Sequence, residues 1–192
     1  MIRLLLLIAL LLLLGPACDN ASTAPPVAAA PTIDTLAIQE RLFAQLTADT
    51  NRAGREQNLI INYAADRAWD LRRLPGGVYY QITSEGSGAE LQTGDRVQLH
   101  YRGRFPLTGE VFDASRPKGR PLEFTVGRLI PAWNEVLPLV KPGATVRLVT
   151  PSAAAYGPEG LKSPDGTVLV PPHAVLVFEL EAIEVIERAD LF

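Results

Sequence analysis

The sequence predicts an α+β domain in which an antiparallel sheet packs against one short helix. Residues 97–101 and 122–126 alternate apolar and polar side chains with the two-residue period of a half-buried strand. One helix is expected to begin at Pro131, since the first turn of a helix tolerates the missing N–H of proline. Several strands around a single short helix are typical of α+β domains with an antiparallel sheet.

The first 17 residues have the features of a signal peptide. Arg3 supplies a positive charge, and residues 4–14 form an apolar run of eleven residues, which is too short to span a bilayer comfortably. Cys18, the only cysteine of the chain, follows closely. This order resembles a bacterial lipoprotein signal, which implies that Cys18 is lipidated and anchors an exported protein to a bacterial membrane, facing the periplasm. Ordinary cleavage after Ala17 is the alternative.

Residues 18–32 are rich in alanine and proline and are expected to form a flexible linker. Residues 33–75 are predicted to form a helical arm. Its first helix is predicted to begin at Ile33 behind a Thr32 cap, and its second to run from about Arg55 to Trp69. The residues predicted to face inward are Leu36, Ile38, Leu42, Phe43 and Leu46 in the first helix and Leu59, Ile60, Tyr63 and Trp69 in the second.

Residues 76–192 are predicted to form one folded domain. Its strands are predicted at residues 78–82, 95–101, 122–126, 144–150 and 174–185, with the helix over residues 131–140. Pro138 is expected to shorten or bend that helix, because proline cannot donate a backbone hydrogen bond.

Charge and composition exclude several classes of protein. The net charge of −3 and the isoelectric point of about 5.4 give no basic surface of the kind that binds nucleic acid. A single cysteine excludes an internal disulfide. His173 has no metal-like cluster near it in sequence, so neither a metal nor another cofactor is expected. His100 is expected to point away from Tyr101 in their common strand and to take no part in catalysis.

Residues 97–133 combine aromatic side chains, one carboxylate and a helix start, which suggests an apolar pocket with few polar groups. Five motifs follow one another in order: H-Y-R-G at 100–103, V-F-D-A-S at 111–115, L-I-P-A-W at 129–133, A-Y-G at 155–157 and V-P-P-H-A-V-L-V-F-E-L at 170–180. Together they resemble the FKBP-type peptidyl-prolyl cis-trans isomerases over about Gly77 to Ile186. The resemblance implies a curved antiparallel sheet wrapped around one helix, isomerisation of Xaa-Pro bonds in exported proteins without a cofactor, and inhibition by macrolides.

The same resemblance implies a role for each site residue. The substrate proline would lie against the indole of Trp133, at the pocket floor. Asp113 and Tyr156 would orient the ligand through their side chains, and Ile130 would do so through its backbone N–H. These residues are the predicted catalytic set. The predicted substrate-binding residues are Tyr101, Phe112, Leu122, Leu129, Val170 and Phe178, with Leu129 and Val170 at the rim.

Three features depart from the family pattern and leave alternatives open. Leu122 stands where many members have an aromatic wall, and Lys118 where many have an arginine that pairs with the aspartate. The loop at residues 158–170 is longer than in compact members. A binding module or chaperone for proline-containing segments, with weak or no isomerase activity, is therefore the alternative function. The helical arm either forms a homodimer, as in larger members, or packs on its own domain or extends as a stalk.

Overall fold

The computed structural model describes residues 34–189 of the 192-residue chain. The predicted signal peptide, the lipidation site at Cys18 and the linker lie outside the described residues. So do Thr32 and Ile33, where the sequence predicts the first helix to begin. Within residues 34–189, no helix combines the length and the apolar character needed to cross a membrane.

The described residues form three α-helices and nine β-strands. The helices are α1 (Thr35–Phe43), α2 (Arg52–Ala65) and α3 (Pro131–Val136). The strands are β1 (Arg72–Arg73), β2 (Tyr79–Ser84), β3 (Arg96–Arg104), β4 (Val111–Ala114), β5 (Leu122–Thr125), β6 (Thr145–Thr150), β7 (Leu161–Lys162), β8 (Val168–Val170) and β9 (Leu176–Glu187). Short 3-10 turns occupy Arg116–Lys118, Leu137–Leu139 and Ser152–Ala154.

Seven of the described strands form one antiparallel sheet in the order β1-β2-β6-β9-β3-β4, and β5 pairs with β3 beside β4. Strand β9 pairs with β6 along one edge and with β3 along the other. Register shifts interrupt the pairing of β3 with β9, and such bulges increase the twist of a sheet. The predicted α+β class, with a curved antiparallel sheet and a short helix, is confirmed.

Each face of the sheet carries an apolar core, because successive residues of a strand point to opposite sides. On one face, Leu148 and Phe178 join a core that includes Trp133 of α3. On the other face, Val149 and Val177 join a second core that includes residues of α1 and α2. The sheet therefore separates α3 from the two N-terminal helices.

Helix α1 has a narrower buried face than the sequence predicts. Asp34 caps it by accepting a hydrogen bond from the N–H of Ala37 at 3.1 Å. Of the five residues predicted to face inward, Ile38 and Leu42 are buried, and the prediction is wrong for the other three. The exposed residues are Leu36, Phe43 and Leu46. Helix α1 packs on α2 along one stripe, so residues one turn apart are covered and the apolar residues beside them are not.

Helix α2 begins at Arg52 and not at the predicted Arg55. Asn51 caps the helix by accepting a hydrogen bond from the N–H of Gly54 at 2.9 Å. Gly54 lies inside the helix, where an added Cβ would be 2.3 Å from the carbonyl oxygen of Asp49. Glycine is therefore required here by the close approach of the chain before the helix.

The two N-terminal helices pack on the sheet of their own chain, as one of the alternatives for the arm expects. The α2 residues in this contact are Ile60, Ile61, Tyr63, Ala64 and Ala65, and they share a core with Tyr79, Val149 and Val177 of the sheet. Trp69 lies beyond the end of α2, and the guanidinium of Arg147 is 4.4 Å from the centroid of its ring. A cation over an indole adds to the apolar contact between these elements.

Helix α3 ends at Val136, and the 3-10 turn Leu137–Leu139 replaces the rest of the predicted helix. Pro138 explains this early end, since it has no N–H to donate to the carbonyl of Asn134. The predicted shortening of the helix by Pro138 is confirmed.

Candidate functional site

A pocket of about 90 Å³ opens beside the N-terminus of α3. The residues that line it are Tyr101, Phe112, Asp113, Leu122, Leu129, Ile130, Trp133, Tyr156 and Phe178. They come from four strands of the sheet, from α3, and from the segments that precede α3 and follow β6. The structure thus brings together every predicted site residue in the described part of the chain except Val170.

Trp133 forms the floor of the pocket, and 4% of its surface is exposed. Its indole contacts three rings, at centroid distances of 5.6 Å to Tyr101, 5.9 Å to Phe124 and 5.5 Å to Phe178. Edge-on and tilted arrangements of this kind stabilise aromatic pairs beyond the burial of their surface. The indole is therefore a fixed, apolar floor.

Phe112 forms a side wall, and Gly103 of β3 makes room for it. An added Cβ at Gly103 would lie 2.5 Å from the Phe112 ring. The ring is held edge-on to Phe178, at a centroid distance of 5.8 Å. The glycine of the H-Y-R-G motif thus provides the space that the wall occupies.

Asp113 supplies the carboxylate of the pocket, and two neighbours hold it. The hydroxyl of Tyr101 donates a hydrogen bond to Oδ2 of Asp113 at 2.7 Å. The ammonium of Lys118 forms an ion pair with Oδ1 and also donates to the Tyr101 hydroxyl at 3.3 Å. Lys118 therefore pairs with the aspartate at the position where the resemblance implies an arginine.

Burial and charge change the proton affinity of three side chains in or beside the pocket. Burial raises the pKa of Tyr101, and its hydrogen bond to Asp113 raises that pKa further. The hydrogen bond to Asp113 raises the pKa of Lys118. Burial, followed by the charge of Asp113, raises the pKa of Tyr156. Both tyrosines are therefore neutral and Lys118 is charged at neutral pH.

Asn134 fixes the backbone at the rim, a role that the sequence analysis missed. Its Oδ1 accepts a hydrogen bond from the N–H of Leu129 at 3.2 Å, and its Nδ2 donates to the Leu129 carbonyl at 2.8 Å. The adjacent N–H of Ile130 has no acceptor among residues 34–189 and can donate to a ligand. A short amide side chain in the first turn of a helix is a signal for such a contact, because it can reach nearby backbone groups.

The family of the chain follows from comparison with known proteins. The family model described as FKBP-type peptidyl-prolyl cis-trans isomerase matches residues 88–183, which is half of the chain. This chain belongs to the FKBP family.

The relatives of this FKBP chain include a probable isomerase and a protein named as an outer membrane protein. A probable FKBP-type peptidyl-prolyl cis-trans isomerase of Haemophilus influenzae is 33% identical over 63% of this chain and 48% of the relative. The outer membrane protein MIP of Legionella longbeachae is 35% identical over 60% of this chain and 47% of the relative. The chain spans about half the length of these curated relatives. The solved structure of FkpA from Escherichia coli has a TM-score of 0.60 and 27% identity, over 79% of this chain and 65% of that chain.

Val170 of this FKBP domain is not among the residues that line the pocket, so its predicted place at the rim stays a prediction. Its exposed fraction is 1%, and it belongs to the core on the α3 side of the sheet. Val170 pairs with Leu161 in the β7–β8 hairpin, which occupies the loop that the sequence analysis found to be long. Leu122, in contrast, lines the pocket from β5 in place of an aromatic wall.

The two histidines of the FKBP chain do not line the pocket. Nδ1 of His100 is 3.0 Å from Oγ of Ser115. The backbone N–H of His173 donates to the carbonyl of Gly157 at 2.8 Å. In the described part of the chain, no group of three His, Cys, Asp or Glu side chains is arranged to hold a metal ion.

Proposed function

We propose that this chain catalyses the cis-trans isomerisation of Xaa-Pro bonds in exported proteins as they fold in the cell envelope. The observation that carries the proposal is the pocket, an apolar cradle over Trp133 with a few fixed polar groups around it. Membership of the FKBP family supports the same activity. The substrates are proline-containing polypeptides, and macrolides are expected to compete with them for the pocket.

The reaction needs no nucleophile and no proton transfer, because its barrier is the resonance of the amide. This barrier is roughly 18–20 kcal/mol, so an Xaa-Pro bond turns over in tens to hundreds of seconds without a catalyst. Twisting the bond removes the charge separation of the planar amide. An apolar pocket therefore disfavours the planar ground state more than the twisted transition state. A million-fold acceleration requires about 8 kcal/mol of differential stabilisation.

Some pocket residues enclose the proline ring of the substrate, and others orient the substrate backbone. Trp133 receives the proline ring, and the aromatic walls exclude water from the bond that rotates. The Ile130 N–H donates to a carbonyl beside that bond and holds the twisted geometry. Tyr156, whose pKa is raised by burial, stays protonated and is a second donor. Asp113, held by its ion pair with Lys118, orients the ligand backbone.

A peptide isomerisation assay on the full chain tests the proposal. The chain should accelerate cis-trans exchange in a proline-containing tetrapeptide, and a macrolide should inhibit it. Trp133→Ala and Asp113→Ala should each lower kcat/KM about ten-fold, which corresponds to roughly 1.4 kcal/mol, with an unchanged circular dichroism spectrum. Asp70→Ala, at an exposed position in the arm, is the control. Wild-type rates in both pocket variants would remove the site assignment.

The alternative function, a binding module or chaperone with weak or no isomerase activity, is not favoured. The polar groups that catalysis needs, Asp113, Tyr156 and the free Ile130 N–H, all stand at the pocket. Suppression of aggregation by the chain without acceleration of the peptide reaction would support the alternative.

The proposed place of action is the periplasmic side of a bacterial membrane, with lipidated Cys18 as the anchor. The apolar run at residues 4–14 and the single cysteine after it support this proposal, and one relative is named an outer membrane protein. Several acyl chains give stable anchoring, whereas one chain is marginal. Labelled palmitate should be incorporated into the wild-type chain and not into Cys18→Ser. Equal labelling of both would contradict the anchor.

Self-association through the helical arm, residues 33–75, is part of the same proposal. Leu36, Phe43 and Leu46 are exposed on and just after α1, although they are apolar. Two copies of the chain that met through these residues would remove them from water. Sedimentation velocity should detect a dimer that the double variant Leu36→Ser/Phe43→Ser loses. A monomer at every concentration of the wild-type chain would contradict the dimer.

A further inference from the structure

The inference concerns Glu56, a buried acidic residue that the proposed mechanism does not use. Glu56 is the fifth residue of α2, and its exposed fraction is 8%. Its Oε2 accepts a hydrogen bond from the N–H of Ser152 at 2.8 Å, and its Oε1 accepts one from the Ser152 hydroxyl at 2.7 Å. Both oxygens of a carboxylate in the arm are therefore directed to one residue, which lies 96 positions further along the chain.

Ser152 connects this carboxylate to the residues on either side of Tyr156. Its carbonyl accepts a hydrogen bond from the N–H of Ala155 at 3.0 Å and another from the N–H of Gly157 at 2.8 Å. Tyr156 is thus held between two residues that are both bonded to Ser152. The Tyr156 side chain lines the pocket.

We infer that Glu56 is a positioning residue for Tyr156, so that the helical arm is a working part of the pocket. Hydrogen bonds to a carboxylate are stronger than those between neutral groups, and the two acceptors fix both the backbone and the side chain of Ser152. Ser152 is 3% exposed, so loss of Glu56 costs its N–H and hydroxyl the hydrogen-bond acceptor that they have in the fold. Loss of the carboxylate therefore releases the turn that sets the position of Tyr156.

The inference rests on the proposed function for its kinetic test, which is a double-mutant cycle. Glu56→Gln keeps the shape of the side chain but replaces one acceptor oxygen with an amide group. It should lower kcat/KM for an Xaa-Pro tetrapeptide about five-fold, and the effect should disappear when Tyr156 is already changed to Phe. A role limited to docking the arm predicts the same fall in both backgrounds, and that result would overturn the inference.

Asn58→Ala is the matched control on the same helix. Asn58 bonds to the backbone of Thr47 at 3.0 and 2.9 Å, so its removal loosens the arm without touching Ser152. It should leave kcat/KM unchanged at a temperature where the chain is folded. Should Glu56→Gln fail to fold, Ser152→Ala removes one of the two hydrogen bonds and takes its place.

A second measurement does not depend on catalysis. In the full chain labelled with ¹³C at the tyrosine rings, the Tyr156 resonance should shift in Glu56→Gln and Ser152→Ala but not in Asn58→Ala. If the wild-type chain fails to accelerate the peptide reaction, the proposed function fails while this spectrum still decides the role of Glu56. An unshifted Tyr156 resonance in folded Glu56→Gln would overturn the inference.

Discussion

Gly103 determines the position of one wall of the pocket through the space that it leaves. Its φ angle lies outside the left-handed region, so the backbone does not require glycine at this position. The Phe112 ring does, because an added Cβ would be 2.5 Å from it. We predict that Gly103→Ala displaces this ring, lowers kcat/KM, and reduces the free energy of unfolding by about 1–3 kcal/mol through overpacking. The peptide assay and urea denaturation measure the two effects.

A second substitution separates stability from activity at this wall. Phe112→Leu in the Gly103→Ala background relieves the overlap, so part of the free energy of unfolding should return. Activity should stay low, because the aromatic wall is then missing. Recovery of both quantities would show that the ring has no role in the reaction.

The pH dependence of activity should be flat across the neutral range. The hydrogen bond to Asp113 raises the pKa of Lys118, and burial together with the same carboxylate raises that of Tyr101. A lysine with a raised pKa stabilises the fold below its unfolded pKa, and this contribution is lost as the pH rises through the folded value. We therefore expect constant kcat/KM between about pH 6 and 9 and a fall above about pH 10.4.

A pH profile of the peptide reaction, with Lys118→Arg as the control, tests this expectation. Arginine stays charged above pH 12, so the variant should keep the neutral plateau and lose less of its activity at alkaline pH. A decline already complete by about pH 8 would mean that another group controls the site.

Two leucines of α1 test which side of this helix supports the fold. Leu42 is fully buried between α1 and α2, whereas the exposed fraction of Leu36 is 72%. Leu42→Ala should lower the free energy of unfolding by about 2–5 kcal/mol, because it leaves a cavity in the core. Leu36→Ala should change it by less than about 0.5 kcal/mol. Equal effects in urea denaturation would contradict the position of α1.

At the level of elements, periodicity predicts which segments form helices and strands better than it predicts which side is covered. The alternation around Val97 and Leu122 identifies β3 and β5, since one face of each strand is apolar. In α1 the apolar residues occupy a wider face of the helix than α2 covers. The width of the covered face depends on how α2 packs and cannot be read from the sequence. The early start of α2 depends on the cap at Asn51 and on the close approach of the chain at Gly54.

The site itself is predictable to the extent that local motifs define it. Trp133 and Asp113 stand in short motifs whose order is distinctive, and the structure brings both to one pocket. Val170 lies in the core on the α3 side of the sheet but is not among the residues that line the pocket, because its depth in that core depends on the packing of the β7–β8 hairpin. Glu56 is missed because its contact with Ser152 depends on tertiary structure and leaves no pattern in the sequence, whereas the contact of Asn134 with Leu129 is local and its signal was overlooked.

In the molecule as a whole, the central strands belong to both cores at once. Leu148 and Val149 are neighbours in β6, and they face α3 and the arm respectively. Because the same strands contribute side chains to both cores, loss of packing in one core disturbs the strands that form the other. The described chain should therefore unfold as one cooperative unit.

Differential scanning calorimetry tests this cooperativity. The full chain should show one transition for the described domain, with equal calorimetric and van't Hoff enthalpies. Ile61→Ala, which removes buried apolar contact in the arm, should move that whole transition to lower temperature. A separate early transition in this variant would show that the arm unfolds alone.

The intrinsic fluorescence of Trp133, at the floor of the pocket, can report on binding. The indole nitrogen of Trp133 is buried and has no hydrogen-bond partner among the described residues. An indole in such surroundings is expected to fluoresce at short wavelength, and a molecule that settles on it changes the intensity. In Trp69→Phe, which leaves Trp133 as the remaining tryptophan, selective excitation of the indole would allow unlabelled peptides and inhibitors to be titrated directly, without any attached dye.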